Sequence, residues 1–390
     1  MKVGFLFNHD ALHQVRHSAP VVAELARDHR AEVTVLTSSA DQEAAVRALI
    51  GDAAAAIRFV PLSLGAGARA LDAGLRWIAP FRRIAILREN VAAFAELDVL
   101  VVPETTSLML RDRFGLDRLK MVWIPHGAGD RSIGFGPEVA RFDLVLLSGE
   151  KVRDRMLAAG LITTVNHAIV GYPKFDTVAD AATAPFFAGT GPTVLYNPHF
   201  DPLLSSWYDW GGPIVRWFAG QGRFNLIVAP HVMLFKRRWH ASVEHRRVRM
   251  RRGLPRELAE APNVLFDPGS ERSVDMSYTR AADIYLGDAS SQIYEWIAQP
   301  RPAIFLNPHG LRWQDDPSFA HWQLGEVVDR LDALAGALDQ AMSAPHRNDQ
   351  RQAEAFARTF SITRQSSAKR AADAIMAFFG PSAGPDYDGH

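Results

Sequence analysis

Short apolar runs rich in β-branched residues alternate along the first half of the chain with longer stretches whose apolar positions recur every three or four residues. Residues 2–7, 31–37, 57–62, 98–102, 121–125 and 143–147 predict strands, and residues 19–28, 42–50, 84–95 and 150–159 predict helices. Strands that alternate with helices build a parallel, doubly wound α/β sheet. Ligands of such a sheet bind beyond the carboxyl ends of its strands. That draws attention to the segments 8–17, 104–107 and 126–130.

A stretch rich in Ala, Thr, Gly and Pro then interrupts the alternation at 179–192, which predicts a linker. The pattern restarts with strands expected at 193–196, 225–229, 263–266, 284–286 and 303–306. Helices are expected near 202–219, 275–281, 291–298 and 327–344. The chain therefore divides into an N-terminal nucleotide-fold domain, 1–178, and a second one, 193–364, expected to face each other across a cleft. A helix at 365–379 would cross back to the first domain, and 380–390 reads as a frayed tail.

Composition narrows the class. A chain of 390 residues exceeds one ordinary core, and 48% hydrophobic with 22% charged residues is the balance of a folded protein. Charged residues and histidines interrupt every run that could approach a membrane span, and the N-terminus turns polar too early for a signal peptide. A cytoplasmic location is expected. The absence of cysteine excludes disulfides, thiolate nucleophiles and cysteine-held zinc. A formal net charge of zero argues against a dedicated nucleic-acid binder. It conceals a local basic cluster, Lys236, Arg237, Arg238, Arg246, Arg247, Arg249, Arg251 and Arg252, which reads either as a solvated helical face or as a contact for an anionic acceptor or membrane surface.

Candidate chemistry collects at predicted strand ends. Asp288-Ala-Ser-Ser-Gln-Ile-Tyr-Glu295 follows a strand and opens a helix, so Ser290 and Ser291 would offer hydroxyls and unpaired N–H groups to a phosphate. The same residues would equally serve as an ordinary helix cap. Glu295, one turn on, could accept from ribose hydroxyls, with Asp288 beside the same nucleotide site. His126 follows a strand and precedes Gly127, whose missing side chain lets a ligand approach, and an imidazole there can act as a general base. His231 follows Pro230 at another strand end and could donate to a diphosphate. Asn197 and His199 end a third strand as candidate substrate contacts. His13 and His17 are four apart, a spacing that on an α-helix suggests a metal pair, but no further ligands accompany them. They read as substrate-facing, and no metal site or cofactor is expected. Trp207, Trp210 and Trp217, at near-helical spacing, read as packing.

The order of these motifs resembles the CDP-glycerol glycerophosphotransferases, the teichoic-acid primase and polymerase family, whose GT-B-type fold is related to that of UDP-GlcNAc 2-epimerase. The resemblance rests on His126-Gly127, on Val170-Gly-Tyr-Pro-Lys-Phe-Asp176, on Val194-Leu-Tyr-Asn-Pro198, on Ala229-Pro-His231, on residues 282–291 and on 302–306. It implies a metal-independent transferase that moves a glycerol-phosphate or related group from a CDP-activated donor to a hydroxyl on a lipid or polymer, at the inner face of the cell membrane. It assigns His126 as the base and His231, Ser290 and Ser291 to the donor phosphates. Where the family usually carries Arg before Pro-His this chain has Ala229, and where an aromatic commonly precedes Ser-Ser it has Ala289. A nucleotide-sugar glycosyltransferase, a UDP-sugar 2-epimerase or hydrolase, and a non-catalytic polyanion- or membrane-binding protein are the alternative readings.

Overall fold

The computed structural model describes residues 1–9, 12–28, 30–75, 81–130, 134–178, 185–242 and 246–380. Residues 179–184 of the expected linker, residues 243–245 within the basic cluster and the expected tail beyond 380 lie outside them. The chain forms two compact units. One comprises residues 1–128, 135–178 and 358–390; the other comprises 129–134 and 179–357.

In the first unit seven parallel strands, β1 (Lys2–Phe7), β2 (Glu32–Thr37), β3 (Arg58–Pro61), β4 (Val99–Val102), β5 (Lys120–Trp123), β6 (Leu144–Leu147) and β7 (His167–Ile169), lie in the order 3-2-1-4-5-6-7. The apolar runs are continuous because both sheet faces are covered. Val3, Phe5, Val99 and Val101 enter one core, and their neighbours Leu6, Leu100 and Val102 enter the other. The second unit repeats the plan with β8 (Thr193–Asn197), β9 (Asn225–Val228), β12 (Val264–Phe266), β13 (Ile284–Gly287), β14 (Ala303–Leu306) and β15 (Glu326–Val328). Its order is 12-9-8-13-14-15, again all parallel. Both sheets reverse direction of growth once, between β1 and β4 and between β8 and β13. Open α/β sheets bind ligands at that switch point.

Several local expectations change. The helix expected from 327 begins as edge strand β15, since Glu326-Val-Val328 pairs with β14, and its α-helix starts only at Leu334–Ser343. The stretch 202–219 is not one helix. It runs as turns to Ser206, then a π-helical turn at Trp207–Gly211, then the helix Gly212–Ala219 with Pro at its start. The basic cluster is not one helical face. Lys236 ends the short helix Val232–Lys236, and the middle of the cluster forms an antiparallel hairpin, β10 (Trp239–Ser242) with β11 (Arg247–Met250), apart from the main sheet. Trp207 is buried against Phe235 and Phe266, as packing requires, whereas Trp217 is 39% exposed.

The motif at 170–176 receives the last helix, Ser367–Phe379, which packs on the helix Ala19–Ala26. Asp176 accepts hydrogen bonds from the amides of Ser367 (3.3 Å) and Ala368 (2.7 Å), satisfying two donors that a helix start leaves open. Burial raises the Asp176 pKa, against those two bonds. Tyr172 and Phe175 close on Phe360, and the Tyr172 amide donates to Ser367 Oγ at 2.9 Å. That approach needs Gly171, which has φ +86 and where a Cβ would lie 2.5 Å from Ser367 Oγ. Gly171→Ala is expected to destabilise the first unit by about 2–3 kcal/mol, read by urea unfolding, from the left-handed backbone and the clash together.

Candidate functional site

At the switch point of the first unit, β1 runs into Asn8-His9, β4 into Pro103-Glu104, and β5 through Ile124-Pro125 into His126. His126 Nδ1 lies 3.1 Å from the Pro103 carbonyl oxygen. A carbonyl can only accept, so Nδ1 carries the proton and Nε2 presents its lone pair. The residue reaches solvent, yet the protein packed round the ring disfavours the imidazolium. Its pKa is lowered, first by desolvation and also by the positive charge of Arg83, with the Pro103 bond and Glu104 opposing. Tautomer and pKa together make a neutral base with Nε2 as its acceptor atom.

Two further imidazoles stand beside it. His9 lies 5.4 Å from His126 and His17 lies 6.5 Å away, between ring centroids. His17 is buried and meets Tyr172 edge-on at 5.1 Å. Leu12–His17, read as substrate-facing, is a 3₁₀ helix, in which residues three apart, not four, align, so the spacing of His13 and His17 carries no one-face geometry. Among the described residues no three His, Asp or Glu side chains group as they would round a metal ion. His9 escaped the sequence reading although its place directly after β1 was a usable signal.

In the second unit the switch point is organised by Asp288, just after β13 and fully buried. Its carboxylate accepts from the His199 amide (2.7 Å), the Ser206 amide (2.7 Å), Ser206 Oγ (2.9 Å) and the Ala289 amide (3.0 Å). Burial pushes its pKa up to about 7 against these four bonds. Ser206 Oγ also meets Tyr196 Oη at 2.8 Å, a hydroxyl chain whose protons can reorient to suit either state of the acid. Asn197 donates to the Ala229 carbonyl at 2.6 Å and accepts from Tyr285 Oη at 3.3 Å. Asp288 and Asn197, expected as ligand contacts, instead tie the ends of β8, β9 and β13 together. Their polar atoms face inward.

His199 is also buried. Its Nδ1 accepts from the Asp201 amide at 3.0 Å, and its ring lies 4.5 Å from Phe200 and 5.2 Å from His231. His231 is half-buried at the end of β9 and accepts on Nδ1 from the Met233 amide at 3.2 Å. In the neutral ring the proton is therefore on Nε2, the state that can donate to an anion. The paired serines separate. Ser290 is buried and its Oγ accepts from the Gln292 amide at 3.3 Å, whereas Ser291 is exposed. The helix that follows is only Gln292–Trp296, shorter than the expected 291–298, so little macrodipole supports an anion there. Glu295, expected to reach a ribose, is 7% exposed, inside the unit.

Gly129, three residues after His126 in the chain, already belongs to the second unit, where a Cβ on it would come 3.1 Å from Ser291 Cβ. The next residue enters a buried network that the sequence did not announce. Asp130 accepts from Tyr294 Oη (2.5 Å), from the His321 amide (3.2 Å) and from His321 Nδ1 (3.1 Å). All three side chains are buried. Only the position of Asp130 straight after the His126 turn could have flagged it.

One member of the basic hairpin is held by a carboxylate. Arg249 makes two 2.6 Å bonds to Asp209, which raise the arginine pKa and lower that of the acid. Lys236, Arg238, Arg246 and Arg247 are exposed, and Arg237 is intermediate.

No protein-family profile matches the chain, and no curated protein sequence matches it. Solved structures do match over nearly its whole length. A UDP-N-acetylglucosamine 2-epimerase is similar with a TM-score of 0.61 at 11% identity, covering 97% of this chain and 97% of that one. The UDP-GlcNAc 2-epimerase from Neisseria meningitidis, solved with UDP-GlcNAc bound, gives 0.54 at 11%, covering 97% and 99%. The wall teichoic acid polymerase TagF gives 0.58 at 12%, covering 96% and 88%. At such identities the likeness is one of fold, and the fold is the GT-B type, with two Rossmann-like units.

Proposed function

We propose that this chain is a GT-B-type transferase that takes a nucleotide-diphosphate donor and passes its activated group to an acceptor hydroxyl, with a CDP-linked alditol such as CDP-glycerol as the donor. The observation that carries this reading is His126, whose Nδ1–H···O=C bond leaves Nε2 as a neutral acceptor at the switch point of the first sheet. Support comes also from the fold, which is shared with a protein solved with UDP-GlcNAc and with a wall teichoic acid polymerase.

In this scheme His126 Nε2 takes the proton of the acceptor hydroxyl as its oxygen attacks phosphorus. The bond from that phosphorus to the nucleotide's phosphate oxygen breaks, and the leaving nucleotide carries away the electron pair. His231 Nε2–H and the exposed Ser291 hydroxyl donate to the donor's phosphates, where the departing charge grows. Ser290, Asp288, Asn197 and His199 hold the strand ends that carry these donors. Glu295 is left for the ribose only if its side chain turns outward on binding. Nucleotide-sugar transfer is the second reading, favoured by Ala229 in place of the arginine that would clamp a phosphate in CDP-glycerol enzymes.

Thermal-shift titration with CDP, UDP, CMP and GDP distinguishes the two. Stabilisation by CDP and CMP is the expected outcome, and stabilisation by UDP alone would transfer the case to nucleotide sugars. Ser291→Ala should weaken binding of the stabilising nucleotide about tenfold, the loss of one hydrogen bond to a charged group. Unchanged affinity would remove Ser291 from the site.

A further inference from the structure

The β10–β11 hairpin presents an exposed apolar face. In its register Trp239 stands opposite Met250 and Ala241 opposite Val248, so these four side chains share one face. They are exposed, Trp239 by 62%, Val248 by 65% and Met250 by 41%. The other face is fastened down. His240 and Ser242 are buried, His240 Nε2 lies 3.0 Å from the carbonyls of Leu234 and Arg237, and Arg249 is held by Asp209. The apolar face therefore cannot turn inward without breaking those bonds. An antiparallel sheet normally shows water its polar face, and here it shows the apolar one.

Charge says what fits. Lys236, Arg238, Arg246, Arg247 and Arg252 are exposed round the same hairpin, and the only acid in the sequence from 236 to 252 is Glu244. A tryptophan beside aliphatic side chains, ringed by cations, matches a bilayer interface with its apolar layer beneath anionic head groups. A soluble polyanion would use the cations and leave Trp239, Val248 and Met250 without a partner.

We infer that the hairpin is a membrane-docking element that inserts Trp239, Val248 and Met250 into the interfacial layer of an anionic phospholipid bilayer. Catalysis need not be assumed for this, because the hairpin shares no residue with the proposed donor site. The test is sedimentation of the full chain with vesicles of phosphatidylcholine alone and with about 30% phosphatidylglycerol.

Binding is expected to be much stronger to the anionic vesicles than to phosphatidylcholine alone, with a fraction that resists high salt because apolar insertion is not screened. The double variant Trp239→Ser/Val248→Ser should partition about tenfold less or worse and lose the salt-resistant fraction, with a thermal midpoint within about 2 °C of the parent. Brominated lipids should quench the parent's fluorescence and spare that of Trp239→Phe. Equal binding by the double variant would overturn the inference. So would an absence of binding by the parent, or self-association in sedimentation velocity that the same two substitutions abolish, which would assign the face to a second copy of the chain.

Discussion

His126→Ala is expected to lower turnover with the correct donor by about 10²–10⁴-fold while nucleotide affinity stays within about twofold. The range is that of a single general base. The affinity should hold because His126 belongs to the first unit and the proposed phosphate donors to the second. The pH profile supplies an independent check. Desolvation lowers the His126 pKa from 6.5, and the reaction needs the neutral ring, so kcat/KM should rise with pH through a midpoint below 6.5 and be flat at neutrality. The same shift bears on stability. The unfolded chain takes up this proton at a higher pH than the folded chain does. The contribution is thus present above about pH 6.5 and is lost as pH falls through the lowered folded value. Full activity in His126→Ala, or a kcat/KM that still rises with pH well above 6.5, would remove the base from this position.

Asp288→Ala should be the most damaging single change to the second unit, costing about 3–5 kcal/mol. It would strip an acceptor from the His199 and Ser206 amides, Ser206 Oγ and the Ala289 amide, all inside the switch point. Buried donors without acceptors carry the desolvation cost directly. Asp288→Asn keeps the volume but turns an NH₂ group toward N–H donors, so it should recover only part of the loss. The effect of pH has a definite sign. With a folded pKa of about 7, above the ordinary carboxyl value, the contribution of this group is full below about pH 4 and declines as pH rises through 7. Denaturant unfolding of parent and Asp288→Asn between pH 5 and pH 8 checks it, since the difference between them must change with pH across that window. A cost below about 1 kcal/mol for Asp288→Ala would mean that the loop does not depend on this brace.

Much of the architecture is legible in one dimension. A buried parallel strand has to be apolar on both faces and short, and a crossover helix has to follow it, so residues 2–7, 98–102, 143–147 and 284–286 declare themselves. Positions at the ends of such runs are then placed at the sheet's carboxyl edge without further information. That is why His126, His231 and the Asp288–Ser291 segment could be singled out. What failed was local and had local causes. Glu326–Val328 becomes a strand only because β14 offers it an open edge, and the basic cluster becomes a hairpin although its composition suits a solvated helix equally well.

Which strand-end residues face outward is a different matter. Asp288 and Ser291 are three apart in one turn, yet the first is sealed under four hydrogen bonds and the second is exposed. The tautomers of His126 and His231 depend on a carbonyl at 103 and an amide at 233, and burial of Asp130 depends on Tyr294 and His321, more than 160 residues away. The exposed apolar face of the hairpin exists only through the pairing of Trp239 with Met250. Periodicity and the requirement to bury apolar runs sufficed to set the two doubly wound sheets and the edge where their chemistry gathers. The direction, protonation and partners of each polar group came from tertiary contacts, because a hydrogen bond acts over about 3 Å between groups whose separation along the chain carries no signal.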